Sequence, residues 1–171
     1  MDKAFFELMA RYNKNVNKLM NEVIVLLSED EWKRKYRGYF KSIHELCSHI
    51  YGGDHRWLRR FKTAGNFKVL DNALFDTAYD FDHLFFCNIN EYLTGRDIMD
   101  SVIVDFVNEL SDEDMDKKIQ WTSTNGSDCA CMVKTGLLHL SHHQTHHRGM
   151  VSLLLEFMGK ENDYSSLFLY E

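Results

Sequence analysis

The histidines of this sequence are concentrated near its C-terminal end, where residues 137–150 hold five of the nine. On a helix, His143 and His147 lie four residues apart, about one turn, so both imidazoles can point at one atom between them. They interrupt an apolar helical stripe, which comprises Leu140, His143, His147, Met150, Leu154 and Phe157. A buried histidine pair is costly unless both rings are satisfied, and a metal ion satisfies them directly. The alternative is a pair of hydrogen-bonded core histidines.

A third ligand has to come from another helix that faces the same core. Structural zinc sites close four ligands, whereas catalytic sites often keep three and a water. His49 is the best candidate, because it is the histidine on the apolar side of its predicted helix, beside Leu46 and Gly53. The Gly52-Gly53 pair is unfavourable in mid-helix and leaves room for a metal, a substrate or a close helix. An ordinary core or boundary histidine is the alternative for His49.

The sequence does not single out a general base. His142 and His146 lie about 100° around the helix from the inward-facing pair, so they are flanking residues. The nearest catalytic candidates along the chain are His146, Asp54 and Arg148. For Arg148, the alternative is a structural ion pair or packing against the C-terminal tail.

Periodicity and helix-start signals predict an all-α protein, a four-helix bundle with a small β-hairpin before the last helix. The predicted helices cover residues 2–28, 43–62, 84–110 and 133–159. The apolar face predicted for the first helix comprises Phe5, Met9, Tyr12, Val16, Leu19, Val23 and Leu26. Residues 28–31 offer a stop and a new cap, and residues 42–45 read Ser-Ile-His-Glu, a capping box.

The segments between the predicted helices also carry signals. We expect residues 36–41 to form a loop with aromatic anchors, and residues 63–82 to form a long ordered connection with a short helix near residues 71–79. Alternation over residues 118–133 around Asn125-Gly126 predicts the hairpin. The aromatic tail, residues 164–170, is expected to dock on the bundle.

Length and composition favour a single folded domain over residues 1–171. Hydrophobic residues make up 44% of the chain and proline is absent, which favours long unkinked helices. The net charge of −6 argues against broad nucleic-acid binding, which needs a basic face. The longest aliphatic run, residues 23–27, is too short to span a membrane. Because the N-terminus lacks a signal peptide's apolar core and no Cys-x-x-Cys pair occurs, we expect reduced thiols and a cytoplasmic location.

The histidine segment carries a family resemblance. Residues 141–150 read Ser-His-His-Gln-Thr-His-His-Arg-Gly-Met, similar to the Asn-His-x-x-x-His-Arg-Gly-Gln pattern of the DinB/YfiT-like family of metal-binding four-helix bundles. Residues 10–20 resemble that family's first helix, and residues 42–50 resemble its second. Ser141-His142 stands where the family often has asparagine before its histidine, and Met150 replaces the usual glutamine. Neither departure removes a ligand.

The resemblance implies an up-down-down-up bundle, commonly a homodimer, with a metal held by one histidine of helix two and a His-x-x-x-His pair of helix four. At the matching positions these are His49, His143 and His147. All-histidine ligation suits zinc, nickel, iron or copper. Of these we expect zinc or nickel first, with iron a further candidate.

The characterised relatives implied by this resemblance include thiol-dependent transferases and isomerases. We therefore expect a divalent-metal enzyme that acts on a small-molecule substrate as a thiol-dependent S-transferase, with a low-molecular-weight thiol bound at the metal. A metal-dependent hydrolase that activates water is the first alternative. A non-catalytic metal-binding stress protein with a closed site is the second, and a helical partner-binding module without metal is the third.

Overall fold

The computed structural model describes residues 2–170, with side chains as far as residue 168, and shows a bundle of four long helices. The helices are α1 (Lys3–Ile24), the short α2 (Glu29–Lys33), α3 (Ile43–Phe61), α4 (Ile89–Glu109) and α5 (Val133–Phe157). The antiparallel hairpin of β1 (Lys118–Thr122) and β2 (Asp128–Met132) precedes α5. The predicted fold class is therefore confirmed. Within residues 2–170, none of the helices combines the length and apolar character that a membrane crossing requires.

Side-chain contacts give the helix directions. α1 and α4 are antiparallel, because the Lys3 ammonium near the start of α1 donates to the Asn108 carbonyl near the end of α4. α3 and α5 are antiparallel as well, since Trp57 lies against His139 and the earlier His49 lies against the later His143. This pairing brings the middle of α3 to the middle of the histidine segment.

α3 and α4 run parallel, which explains the length of the chain between them. Asp54 contacts Arg96, and the later Phe61 contacts the later Phe106. A parallel pair needs a connection that returns along the whole bundle, about 28 Å for a helix of this length. Residues 62–88 make that return and bury Leu70 in one 3₁₀ turn (Lys68–Leu70). The predicted ordered connection is thus confirmed, and the short helix expected near residues 71–79 is the 3₁₀ turn Ala73–Phe75.

Two helix boundaries differ from the prediction. α4 begins at Ile89 rather than residue 84, because the Asn88 side chain accepts from the Glu91 N–H and caps the helix there. α1 ends at Ile24 rather than residue 28. Ser28 and Glu31 then form a reciprocal capping box that starts α2, as the cap signal in that stretch suggested.

The buried face of α1 also differs from the predicted one. Leu26 is 69% exposed and Leu19 is 37% exposed, whereas two asparagines, Asn13 and Asn17, are buried. Both asparagines hydrogen-bond to other helices, so the core beside α1 is partly polar. At the other end of the chain, Tyr164 packs against the core, which confirms that the tail docks at this residue.

The hairpin forms where the sequence predicted it. Gly126 has a φ of 84°, a left-handed conformation that glycine adopts without steric cost, and it allows the tight reversal between β1 and β2. Ile119 of β1 is buried against the bundle. Ser123 and Thr124 at the start of the hairpin turn line a cavity together with three histidines of α5.

Candidate metal centre

Three histidines from two antiparallel helices converge in the interior. One ring nitrogen of each of His49, His143 and His147 lies within 4.8 Å of the others. The Nε2 atoms of His49 and His143 are 2.9 Å apart. His49 and His147 are each 8% exposed, and His143 is half-buried. The structure therefore brings together the three residues that the sequence identified as metal-ligand candidates.

The close approach of His143 depends on a glycine of the facing helix. A Cβ atom added to Gly53 would lie 2.5 Å from His143 Cε1 and 2.9 Å from its Nδ1. The room predicted beside His49 is thus occupied by the imidazole of a closely packed helix. Its neighbour Gly52 makes room for the Phe85 ring in the same way, since a Cβ there would lie 2.9 Å from Phe85.

The donor set fits a divalent transition-metal ion. Nitrogen ligands about 2.0–2.1 Å from one ion are about 2.9–3.3 Å from each other for bond angles between 90° and tetrahedral. The 2.9 Å separation of His49 and His143 agrees with that range and is also the length of a hydrogen bond between the two rings, while the three candidate ligand atoms lie within 4.8 Å of one another. In addition, the Nδ1 atoms of His143 and His147 are buried without a hydrogen-bond partner among the described residues. Buried polar atoms without partners are rare and point to a missing ligand, water or ion.

Burial keeps all three imidazoles neutral. It lowers the pKa of His49 and His147 to about 4 and that of His143 to about 3, and repulsion between the neighbouring rings adds to the effect. At neutral pH each ring therefore offers a lone pair rather than a second proton. Neutral imidazoles are the form that binds metal ions, so the cluster is prepared to act as a ligand set.

Aromatic rings from two loops enclose the cluster. Phe40 lies 4.4 Å from the His49 ring and 5.3 Å from the His147 ring, measured between centroids. Phe81, from the connection between α3 and α4, lies 5.0 Å from the His49 ring. The loop predicted to carry aromatic anchors thus supplies one wall of the site. Such an apolar shell limits the access of water to the histidines.

Two cavities meet at the cluster. The larger, about 370 Å³, is lined by His49, Gly53, Arg56, Trp57, Arg60, Phe81, Ser123, Thr124, His139, His143 and His147. The second, about 310 Å³, is lined by Tyr39, Phe40, Lys41, Glu45, His49, Phe81, Asp82, His83 and Leu84. His49 and Phe81 border both. Small molecules can therefore approach the histidines from two sides, and we call the larger space the arginine cavity.

The three catalytic candidates named from the sequence lie in different surroundings. His146 is exposed, with its ring 4.7 Å from that of His147. Asp54 and Arg148 are buried in a separate polar network. The Asp54 carboxylate pairs with Arg96 at 2.6 Å and accepts from the Gln144 amide at 3.0 Å. These contacts favour a structural role for Asp54.

The same network joins all four long helices. Arg148 donates to the side-chain oxygens of Gln144 at 3.0 Å and Asn13 at 2.9 Å, and Asn17 donates to Asp100 at 2.8 Å. Burial raises the pKa of Asp100 to about 6, against the attraction of Arg96. Within residues 2–170, Arg148 is thus held by hydrogen bonds to neutral side chains rather than by an ion pair, which favours a structural role.

Three further residues at the arginine cavity were not identified from the sequence. Arg56 and Arg60 follow His49 and Gly53 at steps of three and four, so they share one helical face. His139 precedes His143 by four residues, and their rings lie parallel with centroids 6.1 Å apart. The signal available in the sequence was the four-residue spacing between His139 and His143.

The family comparison covers the whole candidate site. The family model described as the DinB family matches residues 1–170. No curated protein matches the chain.

Proposed function

Since this chain belongs to the DinB family, we propose that it is a divalent-metal enzyme that transfers groups to the sulfur of a small thiol. His49, His143 and His147 would hold the ion. The observation that carries this proposal is the convergence of three neutral, buried imidazoles beside two cavities. Within residues 2–170 the group of candidate ligands at this place has three members, the number typical of catalytic sites.

A divalent ion on three neutral imidazoles keeps its 2+ charge and lowers the pKa of a thiol that reaches it. The protein supplies the surroundings. Phe40 and Phe81 place apolar surface beside the His49 ring, which limits the water around it and strengthens electrostatic interactions inside the site. Because Gly53 has no side chain, the His143 ring can pack against α3 beside His49.

The two cavities favour a reaction between two molecules. A transferase must bring a thiol and an electrophile to one place, and His49 and Phe81 lie where the two spaces meet. One reactant can enter beside Tyr39 and Phe40, while the other occupies the arginine cavity. A closed site, as in the alternative of a non-catalytic metal-binding protein, would have neither opening.

The first experiment measures metal stoichiometry. Purified protein loaded with zinc or nickel is expected to retain about one ion per chain. His143→Ala and His147→Ala should lose it, because each removes one of three ligands. His142→Ala and His146→Ala are the matched controls, since both rings are exposed on the same helix and should leave the stoichiometry unchanged. Equal retention by all four variants would overturn the ligand assignment.

The second experiment separates the transferase from a hydrolase. The loaded protein is assayed with a panel of low-molecular-weight thiols and electrophiles, and in parallel with esters and amides. Thiol-dependent turnover that a chelator abolishes and added metal restores is the expected result. Turnover of esters or amides without any thiol would instead identify the protein as a hydrolase.

A further inference from the structure

Two arginines of α3 face the arginine cavity without an acidic partner. Arg56 and Arg60 are half-buried, yet neither guanidinium group forms an ion pair or a hydrogen bond with any residue of the described chain, 2–170. Burial lowers the pKa of Arg60, and the charge of Arg56 lowers it further. Although the chain carries an excess of acidic residues, no carboxylate within residues 2–170 pairs with either guanidinium group.

Both guanidinium groups lie over aromatic rings. Arg60 lies 4.7 Å from the Trp57 ring and 4.5 Å from the Trp121 ring, and Arg56 lies 5.3 Å from the Phe81 ring. A cation–π contact uses no hydrogen bond, so the N–H edge of each guanidinium remains available to a ligand. Those edges can bind carboxylate or phosphate oxygens in a bidentate manner.

The other arginines of the same region show the contrast. Arg59, the neighbour of Arg60 in sequence, donates to the Phe75 carbonyl at 3.0 Å. Arg96 is paired with Asp54 and Asp100 in the buried network. Among the three arginines of α3, the two whose side chains have no partner within residues 2–170 are therefore those on the face that borders the cavity.

The distance between the arginine pair and the histidines fits a ligand whose two ends bind at separate places. Arg56 follows His49 by two helical turns, about 10 Å along the axis, and long side chains reach across part of that distance. We propose that the small-molecule substrate of the metal centre carries an anionic group, a carboxylate or a phosphate, which Arg56 and Arg60 bind while its other end reaches the histidines. Only the binding of the other end at the histidines rests on the proposed metal function.

The test uses thiols that differ in one group. Protein loaded with cobalt(II) is titrated with mercaptoacetate, mercaptopropionate and mercaptohexanoate, and with the corresponding mercapto-alcohols, while the sulfur-to-cobalt absorption band reports binding. For at least one chain length, the carboxylate should bind about 10-fold more tightly than the alcohol. Arg56→Gln and Arg60→Gln should remove this preference and leave alcohol binding unchanged. Arg59→Gln is the matched control and should retain the preference.

A second measurement needs no metal. Arg60 lies between Trp57 and Trp121, so an anion bound at its edge should change the tryptophan fluorescence of the metal-free protein. Titration with phosphate and with succinate distinguishes the two anion classes. The change should saturate in the wild type and disappear in Arg60→Gln. Arg60→Lys keeps the charge and should retain part of the response, which a purely structural role between the two rings would not predict.

The outcomes separate the two proposals. Protein that binds no cobalt but responds to phosphate or succinate through Arg60 would refute the metal centre and keep the anion site. Protein that binds cobalt and coordinates charged and uncharged thiols equally at all three lengths would refute the anion site and keep the metal centre. An equal loss of the preference for charged thiols in Arg56→Gln and Arg59→Gln would also refute the anion site.

Discussion

Replacing Gly53 with alanine tests whether His143 must keep its observed place for the metal centre to form. The added Cβ would lie 2.5 Å from His143 Cε1, where carbon atoms normally approach to about 3.5–4.0 Å. The ring therefore has to withdraw by about 1 Å. Because the obstacle is a half-buried side chain rather than backbone, the ring can move without unfolding the helix.

The substitution should raise the intrinsic stability of the helix but lower the affinity for the metal. Alanine stabilises a helix interior by about 0.8–1.0 kcal/mol relative to glycine, so the metal-free protein should unfold within a few degrees of the wild type. Metal–nitrogen distances, however, tolerate deviations of only about 0.2 Å. A shift of about 1 Å should lower metal affinity by at least the roughly 10–100-fold seen when groups that orient a ligand are changed.

The assay is competition between the protein and a chromophoric zinc chelator, with the thermal unfolding of the metal-free protein measured in parallel. Gly149→Ala in α5 is the control, because a Cβ there meets no atom within 4 Å. It should gain helix stability and keep its zinc affinity. Gly52→Ala, which would press on Phe85, should have a smaller effect on zinc than Gly53→Ala. Zinc affinity within about threefold of the wild type for Gly53→Ala would refute the reasoning.

Three further results are expected. Arg96→Ala leaves the carboxylates of Asp54 and Asp100 buried without their cation, so urea denaturation should show a loss of about 3–5 kcal/mol; a loss below about 1 kcal/mol would contradict the network. Hydrogen bonds from the Lys117 side chain and the Ser111 backbone lower the pKa of Asp114 from its usual 3.8 to about 2. The ionised carboxylate therefore stabilises the folded protein fully above about pH 4, and this stabilisation is lost as the pH falls through about 2. Asp114→Asn should therefore be less stable than the wild type at neutral pH, with the difference shrinking between about pH 4 and pH 2; a constant difference would contradict this. Saturating zinc should raise the melting temperature by mass action, reversibly with a chelator, and no shift at about 100 times the measured Kd would argue against binding to the folded state.

The elements that local signals govern were predictable. Ser42 supplies the cap that starts α3 at Ile43, and Gly126 supplies the left-handed residue of the hairpin turn. Both signals act over a few residues and need no distant partner. The histidine pair of α5 was predictable for the same reason, because a spacing of four residues alone places two side chains on one face.

The polar core was not predictable, because its partners lie on other helices. Apolar spacing in α1 favoured a face that includes Leu19 and Leu26, yet the helix turns to bury Asn13 and Asn17. These amides are costly in a core unless they are hydrogen-bonded, and their partners come from α4 and α5. A single sequence does not show that such partners are present, so hydrophobic periodicity predicted a face that shares Tyr12 and Val16 with the buried one but is rotated toward Leu19 and Leu26.

The arginine cavity shows a different limit. The sequence marks Arg56 and Arg60 only as charged residues of a helix, and most such residues are solvated. Their position on the His49 face was available from spacing. That no acidic side chain of the described residues pairs with them depends on how the hairpin and the long connection cover α3. His139 was missed in a simpler way, since it continues the four-residue series of the two ligand candidates toward the start of α5.

The buried network and the histidine cluster depend on the same rotation of α5. Gln144 and Arg148 each follow a candidate ligand by one residue, so they point about 100° away from the cluster. Gln144 hydrogen-bonds to Asn17 of α1 and to Asp54 of α3. A rotation of α5 that carried the histidines away from α3 would break these buried bonds, at about 1–3 kcal/mol for each polar group left unsatisfied. The network therefore holds the two histidines of α5 toward α3, although Gln144 and Arg148 are not themselves members of the candidate ligand group.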